Sequence, residues 1–178
     1  MRIFSAVQSD IVDRAARDLG FIRTRDELRA VQGLGFAASF TESPGAAGDE
    51  HNVGLRLQAG GTVRIVVERI VYTTSVSTET AVYMNTGALP APTVTALAAG
   101  FSRLASSGND AQAEFIQQRG AGIIPSGFSL FRIGGNPANT PYTIFGPFMV
   151  DVALEAVTVL FMDLGAGTAM MGWHWYEE

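Results

Sequence analysis

The sequence contains no cysteine and no lysine, and these absences exclude whole classes of chemistry. Without cysteine the chain forms no disulfide bond and offers no thiolate nucleophile. Cysteine content therefore does not distinguish an oxidising compartment from a reducing one. All twelve basic residues are arginine, which excludes a phosphate-loop lysine, a Schiff-base lysine and a lysine general base. We therefore look for a function that needs none of these groups.

Charged residues are also scarce, at 16% of the chain against a typical ~25%. Residues 1–29 carry six arginines and five acidic residues, whereas the rest carries six arginines and twelve acidic residues. Neither part has the basic excess of a nucleic-acid-binding protein. No apolar run reaches the ~18 residues of a membrane span, and the start lacks the apolar core of a secretion signal. We expect a soluble protein with no nucleic-acid or membrane partner.

The segment Thr62–Tyr72 predicts a central antiparallel strand because seven of its eleven residues are β-branched. It follows a two-glycine turn, and we expect it to form a hairpin with the preceding Val53–Gln58. Period-two alternation predicts one shared face, interrupted by Arg69, and a mixed opposite face. The first face holds Val63, Ile65, Val67 and Val71, and the second holds Arg64, Val66, Glu68, Ile70 and Tyr72.

Further strands are predicted wherever β-type patterns alternate with glycine, proline and asparagine turns. A loop is expected at residues 43–50, and another at 93–110 with one helical turn at Val94–Ala99. Eight or nine short strands favour an all-β fold, specifically an antiparallel two-sheet sandwich of jelly-roll-like form. The remaining strands are expected at Phe36–Phe40, Thr78–Met84, Ala113–Gln118, Gly127–Ile133, Tyr142–Val150, Val157–Met162 and Thr168–Tyr176.

In the last strand, Met171, Trp173 and Trp175 occupy alternate positions and therefore share one face. Two tryptophans at this spacing are most often core anchors, and we predict that both are buried. The competing interpretation is an exposed platform on which sugar rings stack.

Residues 1–33 differ from the rest and predict a short helical N-terminal arm ahead of a β-sandwich domain at 34–178. Ser9 is a suitable N-cap for a helix at Asp10–Leu19, and Thr24 with Glu27 forms a capping box for a second helix ending near Gln32. Helices this short are marginal alone and need a surface to cover their apolar stripes. That surface is either the protein's own β domain or a neighbouring subunit. The arm residues expected at the interface are Phe4, Ile11, Val12, Ala15, Leu19, Phe21, Leu28 and Val31.

No catalytic constellation is visible in the sequence, and we expect no enzymatic activity, cofactor or metal. His51, placed in a loop, and His174 have no metal-ligand spacing. No GxSxG elbow is present. Asp151, Glu155 and Asp163 flank strands, where carboxylates are common, and a glycosidase carboxylate pair is the one catalytic hypothesis that they offer.

Two segments resemble a group of small virion proteins of tailed bacteriophages. The first, Val53–Ser75, is similar to a hairpin of that group with a glycine turn and a long strand containing an acid–Arg–Ile step. The second, Pro147–Glu178, is similar to its closing hairpin, which ends in a tryptophan-containing strand and terminal acids. Together they cover under a third of the chain.

The resemblance implies a jelly-roll-like sandwich built into a virion as a capsid decoration, head-fibre, neck or tail component, made in the host cytoplasm. Its implied partners are other virion proteins (capsid, neck or tail) and further copies of the chain, with a trimer as the expected homo-oligomer. The alternative function is a carbohydrate-binding jelly-roll module used in host attachment. An exposed aromatic residue beside loop 85–92 or loop 134–141 would favour that alternative.

Overall fold

The protein folds as two antiparallel β-sheets packed face to face, with no helix among the described residues. The computed structural model describes residues 32, 34–42, 45–85, 95–97, 101–102, 111–123, 125 and 127–178. The strands are β1 (Gly35–Glu42), β2 (Glu50–Leu57), β3 (Ile65–Thr74), β4 (Thr78–Asn85), β5 (Thr95–Leu97), β6 (Phe101–Ser102), β7 (Ala113–Gly120), β8 (Phe128–Asn136), β9 (Tyr142–Val150), β10 (Ala156–Met162) and β11 (Ala169–Glu177).

The strand order is that of a jelly roll. Sheet A has the order β6-β1-β11-β3-β9, and sheet B has the order β5-β7-β2-β10-β4-β8. Without β5, β6 and β7, eight strands remain. Those consecutive along the chain alternate between the sheets, except that β4 and β8 pair with each other in sheet B, as in a jelly roll. The predicted all-β, jelly-roll-like sandwich is thus confirmed. β8 and β9 end their respective sheets on the same side of the sandwich.

The core lies between the sheets, and the last strand supplies its largest side chains. Trp173 and Trp175 are both 0% exposed, which confirms their prediction as core residues. Phe115 of sheet B meets both indole rings edge to face, with centroids 5.8 and 5.5 Å away. Phe36 stacks on Trp175 at 5.7 Å. A sugar-binding platform built from these two tryptophans is therefore excluded.

A buried carboxylate closes one end of the core. Glu177 is 5% exposed, and its Oε2 accepts a hydrogen bond from the Gln112 amide at 2.9 Å. Its Oε1 accepts from the Ala113 amide at 3.0 Å and from Trp175 Nε1 at 3.2 Å. Hydrogen bonds to an ionised acceptor are the stronger kind. Glu177 thus joins the end of sheet A to the first residues of β7 in sheet B.

The predicted hairpin between Val53–Gln58 and Thr62–Tyr72 is wrong. β2 lies in sheet B between β7 and β10, and β3 lies in sheet A between β11 and β9. Residues 58–64 carry the chain from one sheet to the other. Gly60, at φ 79°, and the Gly61 amide bonded to the Gln58 carbonyl at 2.9 Å form a tight turn, as expected. A tight turn fixes the local reversal but not the sheet to which the next strand belongs.

The predicted faces of β3 are also wrong beyond Val67. The pairing with β11 shifts register here: Trp175 is opposite Val67 and His174 is opposite Arg69, so Glu68 is an extra residue of β3 and marks a β-bulge. This extra residue reverses the alternation, so the core side holds Ile70 and Tyr72 and not Val71. The strand itself is interior, but β11 is the middle strand of its sheet.

Residues 95–97 form strand β5, paired with β7, so the predicted helical turn at Val94–Ala99 is wrong there. Alanine and threonine in this segment fit either conformation, and pairing with β7 decides between them. The predicted arm helices and the arm residues Phe4, Ile11, Val12, Ala15, Leu19, Phe21, Leu28 and Val31 lie outside the described residues. The division into an arm and a sandwich domain stays a prediction.

Candidate functional site

The most exposed apolar surface of the described residues lies where the two sheets end side by side. β8 pairs with β4 at the end of sheet B, and β9 pairs with β3 at the end of sheet A. Residues 137–141 connect them. Six of the eight large apolar side chains that are exposed belong to β8, β9 or the turn after β9. We call them the β8–β9 rim: Phe128, Leu130, Phe131, Phe145, Met149 and Val152.

Exposure in the rim is high for apolar residues of this size. Phe145 is 72% exposed, Phe128 is 56% and Met149 is 53%. Phe131 is less exposed because its ring lies 6.4 Å from the ring of Phe148, which packs against the core. Soluble monomers rarely leave contiguous apolar patches larger than a few hundred Å² without a binding role. The rim therefore has the character of a binding surface.

The two strands of the rim carry little charge of their own, although Arg69 on β3 is the register partner of Phe145 and Asp151 directly precedes Val152. β9 contains no charged residue at all, and β8 contains only Arg132. The guanidinium of Arg132 lies 3.7 Å from the carboxylate of Glu79 on the neighbouring strand β4. Edge strands of soluble proteins are usually protected by charge, because their free backbone groups pair readily with another chain. A neutral edge favours a neutral, apolar partner.

Sequence reasoning placed these strands but missed their exposure. In Gly127–Ile133 apolar residues occupy both odd and even positions, so the segment lacks the alternation of a strand with one solvent face. This pattern is typical of a strand buried on both sides, and an edge strand with an apolar partner shares it. The sequence thus shows that both faces of this strand are apolar. It does not show whether the strand is buried inside the protein or lies at an edge that binds a partner.

A buried polar cluster ties the two sheets together near the turn between β8 and β9. Asn136 Nδ2 donates to the Tyr72 hydroxyl at 2.9 Å and to Thr80 Oγ1 at 2.7 Å, and the two hydroxyls are 2.8 Å apart. Burial raises the pKa of Tyr72, while the hydrogen bonds with Thr80 and Asn136 act in the opposite sense. A neutral hydrogen-bonded phenol in this setting links the sheets and does not act as a base.

A second polar group lies in the same row of sheet B, two strands away, because Thr80 and His51 are both register partners of Phe161 on β10. The sequence placed His51 in a loop, but it is in β2, 0% exposed and opposite Phe161 and Arg119 of the flanking strands. That placement was wrong because the loop before β2 ends at Asp49. Burial raises the pKa of the adjacent Glu50, the Ile123 backbone hydrogen bond lowers it, and the charge of Asp163 raises it.

These groups do not form a recognisable catalytic or metal centre. Within the described part of the chain, no three His, Cys, Asp or Glu residues are placed to hold a metal ion. Glu155 and Asp163 flank opposite ends of β10, which is seven residues long. At ~3.3 Å per residue they are about 26 Å apart, and a glycosidase pair needs about 5–9.5 Å. Asp151 is exposed near Arg64, at 3.9 Å.

His174 faces outward from sheet A. Its Nε2 accepts a hydrogen bond from Arg69 Nη2 at 3.1 Å, since a guanidinium can only donate. The two residues are cross-strand partners on β11 and β3. This contact accounts for His174 as part of the sheet surface.

Comparison of the chain with protein-family models found no match, and comparisons with curated proteins and with solved structures found none either. Among the described residues there is no helix long and apolar enough to cross a membrane.

Proposed function

We propose that this protein is a non-enzymatic structural component that assembles in repeated copies, within the virion of a tailed bacteriophage. The observation that carries the proposal is the β8–β9 rim, a neutral apolar surface formed by two adjacent edge strands. The virion setting rests on the sequence resemblance of Val53–Ser75 and Pro147–Glu178 to virion proteins. It does not rest on the two hairpins of that group, because β2 and β3 lie in different sheets here, as do β10 and β11. Jelly rolls also occur in viral capsids, although a fold alone does not imply a function.

The rim suits contacts between copies of the chain. A stable interface buries about 800 Å² on each partner, with an apolar centre and a polar border. The exposed rings of Phe128 and Phe145 supply apolar anchors at separate places on the rim, since Phe128 lies opposite Met84 of β4 and Phe145 lies opposite Arg69 of β3. Because β8 and β9 themselves contain one charged residue, repulsion between like charges of two copies is small along these strands. The proposed assembly is a homo-oligomer, with a trimer as the expected form, and the N-terminal arm contacts another virion protein.

Sedimentation velocity of the purified full chain tests the role of the rim. The double variant Phe128→Ser, Phe145→Ser should shift the protein from oligomer to monomer, because it removes the most exposed apolar groups from both edge strands. Met170→Ser is the matched control, since Met170 is 55% exposed but lies outside the rim, and it should keep the oligomer. A monomeric wild-type chain, or an oligomer that survives the double substitution, overturns assembly through the rim.

The exposed phenyl rings also favour a second candidate, a carbohydrate-binding module for host attachment. Phe131 and Phe145 flank the connection at 137–141, and aromatic rings stack on the apolar faces of sugars. Binding to a panel of bacterial surface glycans separates the candidates. Glycan binding by the wild type that Phe145→Ser abolishes, without change in oligomeric state, selects the carbohydrate function. Absence of glycan binding together with loss of the oligomer selects assembly.

A further inference from the structure

The outer face of sheet A is covered at one end and open at the other. Gly35, Tyr176, Val66 and Met149 are register partners on four adjacent strands. Their chain neighbours Phe36, Trp175 and Val67 point into the core, so this row points outward. Tyr176 is nevertheless 7% exposed and Val66 only 1%, while Met149 is 53% exposed. Cover thus extends from β1 across β11 to β3 and ends before β9.

The cover also ends along the strands. On β11 the outward residues become more exposed with distance from Tyr176: His174 and Gly172 are half-buried, and Met170 is 55% exposed. β1 shows the same trend, since Gly35 is buried, Ala37 is half-buried and Ser39 is exposed. An uncovered sheet face leaves outward side chains exposed, as it does at Met170. Burial is greatest where the chain enters sheet A from residue 34.

We propose that residues 21–31 of the same chain bind across this end of the outer face, over Tyr176 and Val66. The helix predicted from Thr24 to Gln32 has nine residues and a length of about 13 Å at 1.5 Å per residue. From β1 to β3 is two strand spacings, about 10 Å. One such helix therefore spans the covered row and stops short of Met149.

The sequence of this segment suits the site. Phe21, Ile22, Leu28 and Val31 supply apolar side chains, and Gly33 is the residue type that ends a helix and lets the chain reverse into β1. A short tether gives such a segment an effective concentration in the millimolar range, so binding to its own sheet outcompetes binding to another copy. Residues 1–19 then remain for a partner. The inference does not depend on the virion setting.

The absence of cysteine from the chain allows a clean accessibility experiment. Val66→Cys is a small apolar replacement in the covered row, and in the full chain it should react with a thiol reagent at least tenfold more slowly than Met170→Cys. Adding Leu28→Asp and Val31→Asp should raise the Val66→Cys rate at least tenfold and leave Met170→Cys unchanged. Val159→Cys, at a core position that is 0% exposed, should stay protected throughout.

The remaining outcomes are equally decisive. If Val66→Cys stays protected in the aspartate double variant while Val159→Cys does too, the cover is not residues 21–31 and the proposal fails. If Val159→Cys also becomes reactive, the domain has unfolded, and the milder Leu28→Ala takes the place of the double variant with the same expectation at Val66. Protection that disappears on dilution assigns the cover to a second copy and overturns binding to the same chain.

Discussion

β11 and β8 are both nine-residue strands with several large apolar residues, yet six residues of β11 are buried whereas seven residues of β8 are exposed. β11 lies between β1 and β3, and its two tryptophans are fully enclosed. β8 ends its sheet, and its phenylalanines face solvent. The difference lies in the number of neighbouring strands and not in composition. Apolar content predicts that a strand needs cover, whereas topology decides whether the chain itself provides it.

The largest expected effect comes from truncating one aromatic residue in the buried strand β11 and one in the exposed β8–β9 rim. Trp173→Ala should lower the free energy of unfolding by about 3–5 kcal/mol, because it leaves a cavity beside Phe115. Phe145→Ala, at 72% exposure, should change it by less than about 0.5 kcal/mol. Urea denaturation of both variants at a concentration where the protein is monomeric gives the comparison. Equal losses would contradict the distinction between a closed interior and an open rim.

Two adjacent carboxylates at the end of β11, one buried and one exposed, should differ less in their effect on stability. Glu177→Gln places an amide opposite the Gln112 and Ala113 N–H groups and should lower stability by about 1.5–3 kcal/mol, the range for hydrogen bonds to a charged group. Glu178→Gln weakens an exposed pair with Arg64 at 3.7 Å and should change stability by less than about 1 kcal/mol. Thermal unfolding at pH 7 measures both. A larger loss of stability for Glu178→Gln than for Glu177→Gln would show that burial of the carboxylate does not decide which substitution costs more.

The smallest expected effect concerns Glu50. This residue is half-buried, so its exposure lies between that of the buried tryptophans and that of the β8–β9 rim. Burial raises the pKa of Glu50 above its unfolded value, so the folded state binds the proton more tightly. Its contribution to stability is fully present below pH 4.5 and is lost as pH rises through the folded pKa. Glu50→Gln should therefore raise the melting temperature slightly at pH 7, with the gain vanishing near pH 4. A gain that is the same at both pH values would assign the effect to packing.

Local chemistry was sufficient to predict most of the strands and the burial of one face of β11. Met171, Trp173 and Trp175 alternate without interruption, and the structure places all three in the core. Glycine and proline turns separated the strands correctly because those residues act on the backbone where they stand. Such signals are carried by a few neighbouring residues, and a single sequence contains them in full.

The errors concern relations between distant residues. The turn at Gly60 looks like a hairpin turn, but β3 pairs with β11 and β9, whose residues lie far along the chain. The bulge at Glu68 depends on how β3 pairs with β11. The burial of His51 follows from the strands on either side of it. The exposure of the rim follows from strand order. Each of these depends on pairing, which one sequence does not specify locally.

The central position of β11 makes folding dependent on the last part of the sandwich to be synthesised. β1 and β3 are separated in sheet A by a strand that ends at Glu177. At about 5–20 residues per second, a ribosome needs on the order of ten seconds to pass from β1 to β11. Throughout that time the apolar faces of β1 and β3 lack the strand that joins them. A chain that stops before β11 is therefore an aggregation hazard and not a smaller sandwich, so intact translation to Glu177 is a condition for a soluble product.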